Sequence, residues 1–115
     1  MANIFKSYSD TAIGTSEATA YTVPSSTVAV VIGLNISNIT GNQVNVDLKV
    51  DKASGDDVYL VKNIPIPNGT SFEFNAGNKF VLQTGDAIKI TSDTASSVDV
   101  LISVLEQTWG NWWHT

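Results

Sequence analysis

The chain contains no cysteine and no arginine, and its 115 residues include one histidine and three prolines. Each scarcity removes a class of chemistry. Without cysteine there is no disulfide, no thiolate nucleophile and no Cys-based zinc site, and a small disulfide-stapled secreted scaffold is disfavoured. The six basic residues are all lysine, set against eleven acids for a net charge of −5. Guanidinium is the usual tool for bidentate recognition of phosphate and guanine, so an acidic, arginine-free chain argues against a nucleic-acid partner. His114 is the single histidine and stands next to the last residue. A catalytic base needs an orienting partner, and without a second histidine or a cysteine, Ser-His-Asp chemistry and most transition-metal sites fail by inventory. No apolar stretch approaches the length of a membrane span. Residues 1–6 lack the basic start and apolar core of a signal peptide. The Asn-x-Ser/Thr matches at Asn35, Asn38 and Asn68 then read as coincidences in a chain rich in those residues.

What is present is a folded body. Hydrophobic residues make up 43% of the chain and charged ones 15%, a balance that fits one globular domain with its own core. The two-residue period dominates. Val28, Val30, Ile32, Leu34 and Ile36 share one parity, predicted to be the greasy face, while Ala29, Val31, Gly33, Asn35 and Ser37 fade towards polar on the other. Residues 43–51 alternate again, with Val44, Val46, Leu48 and Val50 inward. With the turn at 38–42 between them, these two strands are predicted to form an antiparallel hairpin. Val98, Val100, Ile102 and Val104 line one face of a last long strand, and Leu101 and Leu105 stand on its other face beside Asp99 and Ser103.

Shorter strands are expected at 3–8, 18–23, 57–63, 70–75, 79–82 and 87–91, with a polar turn at 9–17. Pro65 and Pro67 each remove a ladder donor, so that segment is expected to cross between sheets or to form an edge leading into a turn. The expected fold is therefore all-β, an antiparallel β-sandwich of about eight short strands, jelly-roll or immunoglobulin-like. Residues 1–107 form the sandwich and 108–115 a Trp-rich tail.

Candidate chemistry is sparse. Asp51, Asp56 and Asp57 surround a Gly-containing turn, but their spacing does not match an EF-hand loop and aspartate is ordinary in such turns. Glu73, Asp86 and Asp99 are scattered over separate elements, which gives no paired-carboxylate site, and Asp86 after Gly85 reads as a turn residue. Glycines occur singly, never in a phosphate-cradling pattern. No enzyme activity, cofactor or metal is expected. Trp109, Trp112 and Trp113 are the informative cluster. Exposed indoles are unfavourable, so the tail is expected either to fold back over one end of the sandwich or to dock into a neighbouring subunit, where tryptophan is enriched at binding hot spots. Insertion at a membrane interface lacks the basic residues it needs. As a different class, a carbohydrate-binding module would use Tyr8, Tyr21 and Tyr59 together with those tryptophans.

The order of signatures also resembles a family. Tyr21-Thr22-Val23-Pro24 precedes the 28–36 strand with its Gly33-Leu34-Asn35. Tyr59-Leu60-Val61-Lys62-Asn63-Ile64-Pro65-Ile66-Pro67-Asn68-Gly69 follows, then Lys79-Phe80-Val81-Leu82, Gly85-Asp86 and a closing strand from Val98 to near Leu105-Glu106. This resembles small β-sandwich structural proteins of tailed bacteriophage virions, of the marine and cyanobacterial phage type, over residues 2–107. The resemblance implies a structural protein assembled in the host cytoplasm and present in several copies on the particle. Its location is either the tail, neck or baseplate, or the capsid as a decoration. The implied partners are other virion proteins and copies of itself, contacted through sheet edges and the tryptophan tail.

Overall fold

The computed structural model describes residues 2–74 and 79–108. Nine strands follow one another: β1 (Ala2–Ile13), β2 (Ala18–Thr22), β3 (Thr27–Asn38), β4 (Val44–Asp51), β5 (Asp57–Ile66), β6 (Ser71–Glu73), β7 (Phe80–Leu82), β8 (Ala87–Ser92) and β9 (Val98–Thr108). The larger sheet has the order β1-β9-β3-β6, with β7 also pairing β3, and the smaller sheet the order β2-β8-β4-β5. All pairings are antiparallel. The chain passes repeatedly from one sheet to the other, which is the winding of an eight-stranded jelly roll whose sixth strand is broken into β6 and β7. The expected antiparallel sandwich is what the chain forms.

The core lies between the sheets. Val44, Val46, Leu48 and Val50 of β4 and Val98, Val100, Ile102 and Val104 of β9 point inward as their alternation requires. Strand β3 departs from its expected parity. Thr27, Ala29 and Val31 are buried in its first half, and Leu34, Ile36 and Asn38 in its second. The switch falls where the register against β9 jumps from Val31↔Val104 to Gly33↔Ser103, leaving Ile32 as the extra residue of a β-bulge. Val28, Val30 and Ile32, predicted inward, therefore lie half-buried on the outer face. Alternation in the sequence is unbroken there, but a bulge reverses which parity faces in.

The predicted β3–β4 hairpin is also corrected, because the two strands belong to different sheets. Asn38 holds the crossing. It is buried, its Nδ2 donates to the carbonyls of Asn42 (2.7 Å) and Ile66 (2.9 Å), and its Oδ1 accepts from the backbone N–H of Thr40 (2.9 Å). A short polar segment read as a turn thus joins sheets, since its polar groups are satisfied across the gap. The hairpin that does form is β4–β5.

Two boundaries shift as well. β1 continues through the predicted polar turn to Ile13, whose side chain is buried in the core. It passes a second bulge between Asp10 and Ile13, where Ala12 has φ 53° and its N–H donates to Asp99 Oδ1 at 2.9 Å. Pro65 sits in β5, the edge of the smaller sheet, and the chain changes sheets immediately afterwards. An edge can accommodate the missing ladder donor.

Removing the bulge tests this account of β3. Deleting Ile32 removes the extra residue and leaves Ala29, Val31, Leu34 and Ile36 in plain alternation on the inward face, with the β9 register unchanged. The expected outcome is a cooperative thermal transition retained by circular dichroism, and its loss would show that Ile32 is not the surplus residue. Ile32→Ala, which keeps the register, is expected to melt within a few degrees of the parent.

Candidate functional site

The two outer faces of the sandwich differ in chemistry. On the smaller sheet, β4 and β8 present Asp47, Lys49, Asp51 and Lys89. Lys49 and Lys89 lie directly opposite each other, a repulsion offset by shared carboxylates. Glu17 is 2.8 Å from Lys49 and 3.9 Å from Lys89, Asp57 is 3.4 Å from Lys49, and Asp51 is 3.4 Å from Lys89. Lys62 and Asp47 add a pair at 3.5 Å. Such a charged surface is satisfied in water.

The outer face of the larger sheet carries an apolar row beside its centre. Strand registers place Phe5, Leu105, Val30 and Val81 in one row across β1, β9, β3 and β7. Phe5 is 74% exposed and Val81 53%. Two residues along β9, the next outward row is Ser7, Ser103 and Gly33, all small. The row after that is Ser9, Leu101, Asn35 and Glu73, in which Leu101 is 52% exposed. A row of small residues between two taller ones leaves a groove of about 220 Å³, lined by Gly33, Leu34, Asn35, Glu73, Leu101 and Ser103. Asn35 Oδ1 is buried there without a hydrogen-bond partner among the described residues. Asn3 and Gln107 flank Val28 in the row at one end, and Asp99, Ser37 and Ser71 close the other. An exposed apolar patch rimmed by polar residues marks an interaction surface.

The residues singled out from sequence are dispersed. Trp109, Trp112, Trp113 and His114 lie outside the described residues. Tyr8, Tyr21 and Tyr59 do not form a sugar platform. Tyr21 is 3% exposed, Tyr8 packs on it with ring centroids 4.4 Å apart, and Tyr59 stands on β5 at the far edge of the other sheet with Lys62 Nζ 4.3 Å from its ring centroid. Asp51 and Asp57 pair with lysines as described, while the Asp56 carbonyl accepts the Lys52 N–H across the turn. Asp99 caps the β1 bulge, and Glu73 lines the groove. Among the described residues no group of three or more His, Asp or Glu could hold a metal ion.

Two acids have structural work that their sequence context hid. Asp86 is 1% exposed and ties two segments together, accepting from Lys52 Nζ (2.6 Å), the Ala53 N–H (2.9 Å) and, within its own turn, the Gln83 N–H (2.8 Å). Glu106 is 3% exposed and takes both tyrosine hydroxyls on Oε2, Tyr8 and Tyr21 each at 2.7 Å, with Lys6 Nζ 3.4 Å from Oε1. It thereby links β1 and β9 of one sheet to β2 of the other. Burial would push the Glu106 carboxyl up, but the hydroxyls of Tyr21 and Tyr8 and the Lys6 ammonium hold it below its ordinary range. Burial likewise opposes ionisation of Asp86, and Lys52 with the two backbone donors brings it down. Burial and the Glu106 carboxylate push Tyr8 up to about 12 and Tyr21 higher still. Glu106 occupies the inward parity of β9 after Val98, Val100, Ile102 and Val104, which is the sequence signal that marks it.

No family model matches the chain, and no curated protein matches it. Among solved structures it is similar to a protein from Bacillus endospore appendages, described as a novel family of disulfide-linked pili. The TM-score is 0.53 at 16% identity, covering 95% of this chain and 88% of that one. At that identity the likeness establishes the class of fold, a β-sandwich shared with a structural appendage protein.

The two depressed carboxyls give an acid-labile sandwich. The unfolded chain binds more protons than the folded one in the acid range, so their contribution is complete above about pH 5 and disappears as pH falls through the lower folded values. Thermal melts should show the midpoint dropping in that window. Glu106→Gln is expected to cost about 1–3 kcal/mol at neutral pH, with the gap from the parent closing at acid pH. A gap that stays constant with pH would show that the Glu106 charge is not the stabilising element.

Proposed function

We propose that this chain is a non-enzymatic structural subunit that assembles in several copies, through the apolar outer face of its larger sheet together with open strand edges. The observation that carries the reading is the row Phe5–Leu105–Val30–Val81, an apolar stripe facing solvent on one sheet while the opposite sheet is laced with ion pairs. Burying such a stripe is the dominant favourable term in association. β1 adds a second route. It is a twelve-residue edge strand with no proline and no bulge before Asp10, a template for pairing with another chain.

The shared fold with a protein of disulfide-linked pili supports a structural role. This chain has no cysteine, so its cohesion would come from apolar burial and strand pairing alone. The order of sequence signatures supports placing it on the virion of a tailed bacteriophage, on the tail, neck or baseplate or as a capsid decoration, assembled in the host cytoplasm beside other virion proteins.

Sedimentation velocity over a wide concentration range tests the assembly. Full-length chain is expected to self-associate, and Phe5→Lys with Val81→Lys to weaken that association on the order of tenfold or more while leaving the melting temperature nearly unchanged, since both side chains already face water. A chain that stays monomeric at every concentration would overturn the reading. Virion placement is tested separately by the flanking genes, where portal, sheath or capsid genes are expected.

A further inference from the structure

We infer that the groove over Gly33 receives a tryptophan from residues 109–113 of a second copy of this chain. The inference rests on the assembly reading above and specifies what the outer face binds.

Size points first to a side chain. At about 220 Å³ the groove falls below the roughly 300–1,000 Å³ of small-molecule sites. Its walls and polar groups then match one side chain in particular. Leu101 offers apolar contact, and the Ser103–Gly33 floor lets a flat ring approach the backbone. Asn35 Oδ1 is an acceptor without a donor among the described residues, and the Glu73 carboxylate beside it is a second acceptor. An indole has a large apolar body and one N–H that only donates. Leaving a buried acceptor unpaired is costly, and docking an indole relieves that cost while covering Leu101.

Chain geometry makes the donor a different copy. β9 runs past the groove and ends at Thr108, beyond Leu101 by seven residues and beyond Ser103 by five. A fold-back in the same copy must spend two residues on a reversal. Placed immediately after Thr108, that reversal brings Trp113 level with Glu106 at best, about 10 Å short of Ser103 and about 17 Å short of Leu101 at the rise of a strand. The tail of a neighbouring copy has no such restriction. Such a contact is satisfied by a reciprocal exchange within a pair, by a ring or by a filament.

Complementation between two variants tests this. Leu101→Arg obstructs the groove and keeps the tryptophans. Trp109→Phe/Trp112→Phe/Trp113→Phe keeps the groove and removes all tryptophan fluorescence. The parent should show a concentration-dependent blue shift of tryptophan emission together with self-association. Each variant alone should associate on the order of tenfold or more weaker, and mixing the two should restore association and the blue shift, the signal then arising solely from the Leu101→Arg copy. Ser103→Leu, which fills the floor without adding charge, should reproduce the loss, and unchanged melting temperatures for these outward substitutions exclude misfolding as the cause. If the parent associates but Leu101→Arg and Ser103→Leu do so equally well, the groove is not the receptor, while assembly through the sheet face stands. Blue-shifted emission from a monomer at all concentrations places the tail in its own copy and overturns the inference. A monomer with solvent-exposed emission throughout overturns both readings.

Discussion

The pairing of β3 with β9, interrupted by one extra residue at Ile32, is the constraint from which the rest of the sandwich follows. These are the two central strands of the larger sheet, and their register is continuous except at that bulge. Before it, Ala29 and Val31 face the core; after it, Leu34 and Ile36 do. A strand period of two cannot supply inward aliphatics at 29, 31, 34 and 36 without such an insertion. The same insertion places Val28, Val30 and Ile32 on the outer face and sets Gly33 opposite Ser103. One backbone irregularity therefore completes the core and creates both the exposed stripe and the groove beside it.

Buried charge fixes how the sheets meet. Glu106 lies at the inward parity of β9, where an aliphatic would ordinarily sit, and its two tyrosine donors come one from each sheet. Truncating one member of such a group leaves the others desolvated and unpaired, which is why its removal is costlier than its net worth in the intact fold. Asp86 does the equivalent job at the turn before β8, joining the segment after β4 to the turn after β7. Apolar burial drives the collapse, and these two acids hold contacts that only this alignment of the segments satisfies.

Much of the fold was legible in the sequence because alternation, turn residues and proline placement are local signals. β4, β8 and β9 lie where their periodicity puts them, and Pro65 lies on an edge. What was not legible is non-local. Val28-Ala29-Val30-Val31 reads equally well with either parity inward, and only the partner register of β9 decides it. The Asn38–Asn42 segment has the composition of a hairpin turn, yet the Ile66 carbonyl, distant in sequence, is what its asparagine bonds. For the candidate surface, Leu101 and Leu105 were visible as outward-facing aliphatics, whereas Phe5 and Val81 gain meaning only when the registers align them. Tyr21, plausible as a sugar platform in isolation, is instead buried as a donor to Glu106.

The asymmetry between the two faces bears on how copies could meet. Each copy carries a net charge of −5, so approach is opposed by a repulsion that salt screens over about 8–10 Å. The ion-paired face of the smaller sheet offers nothing to offset that repulsion, because its lysines already have carboxylate partners and a new contact would have to desolvate them. The central rows of the larger sheet carry little charge apart from Glu73 and expose side chains whose burial is favourable irrespective of ionic strength. Two such faces packed on each other would form a closed dimer and bury Ser7, Ser9 and Ser103 along with the apolar row. A tryptophan-bearing segment entering from a neighbour supplies a donor for Asn35 Oδ1 and the apolar cover together, and it leaves each copy with one groove filled and one tail given. A reciprocal exchange within a pair, a ring and a filament all satisfy that balance.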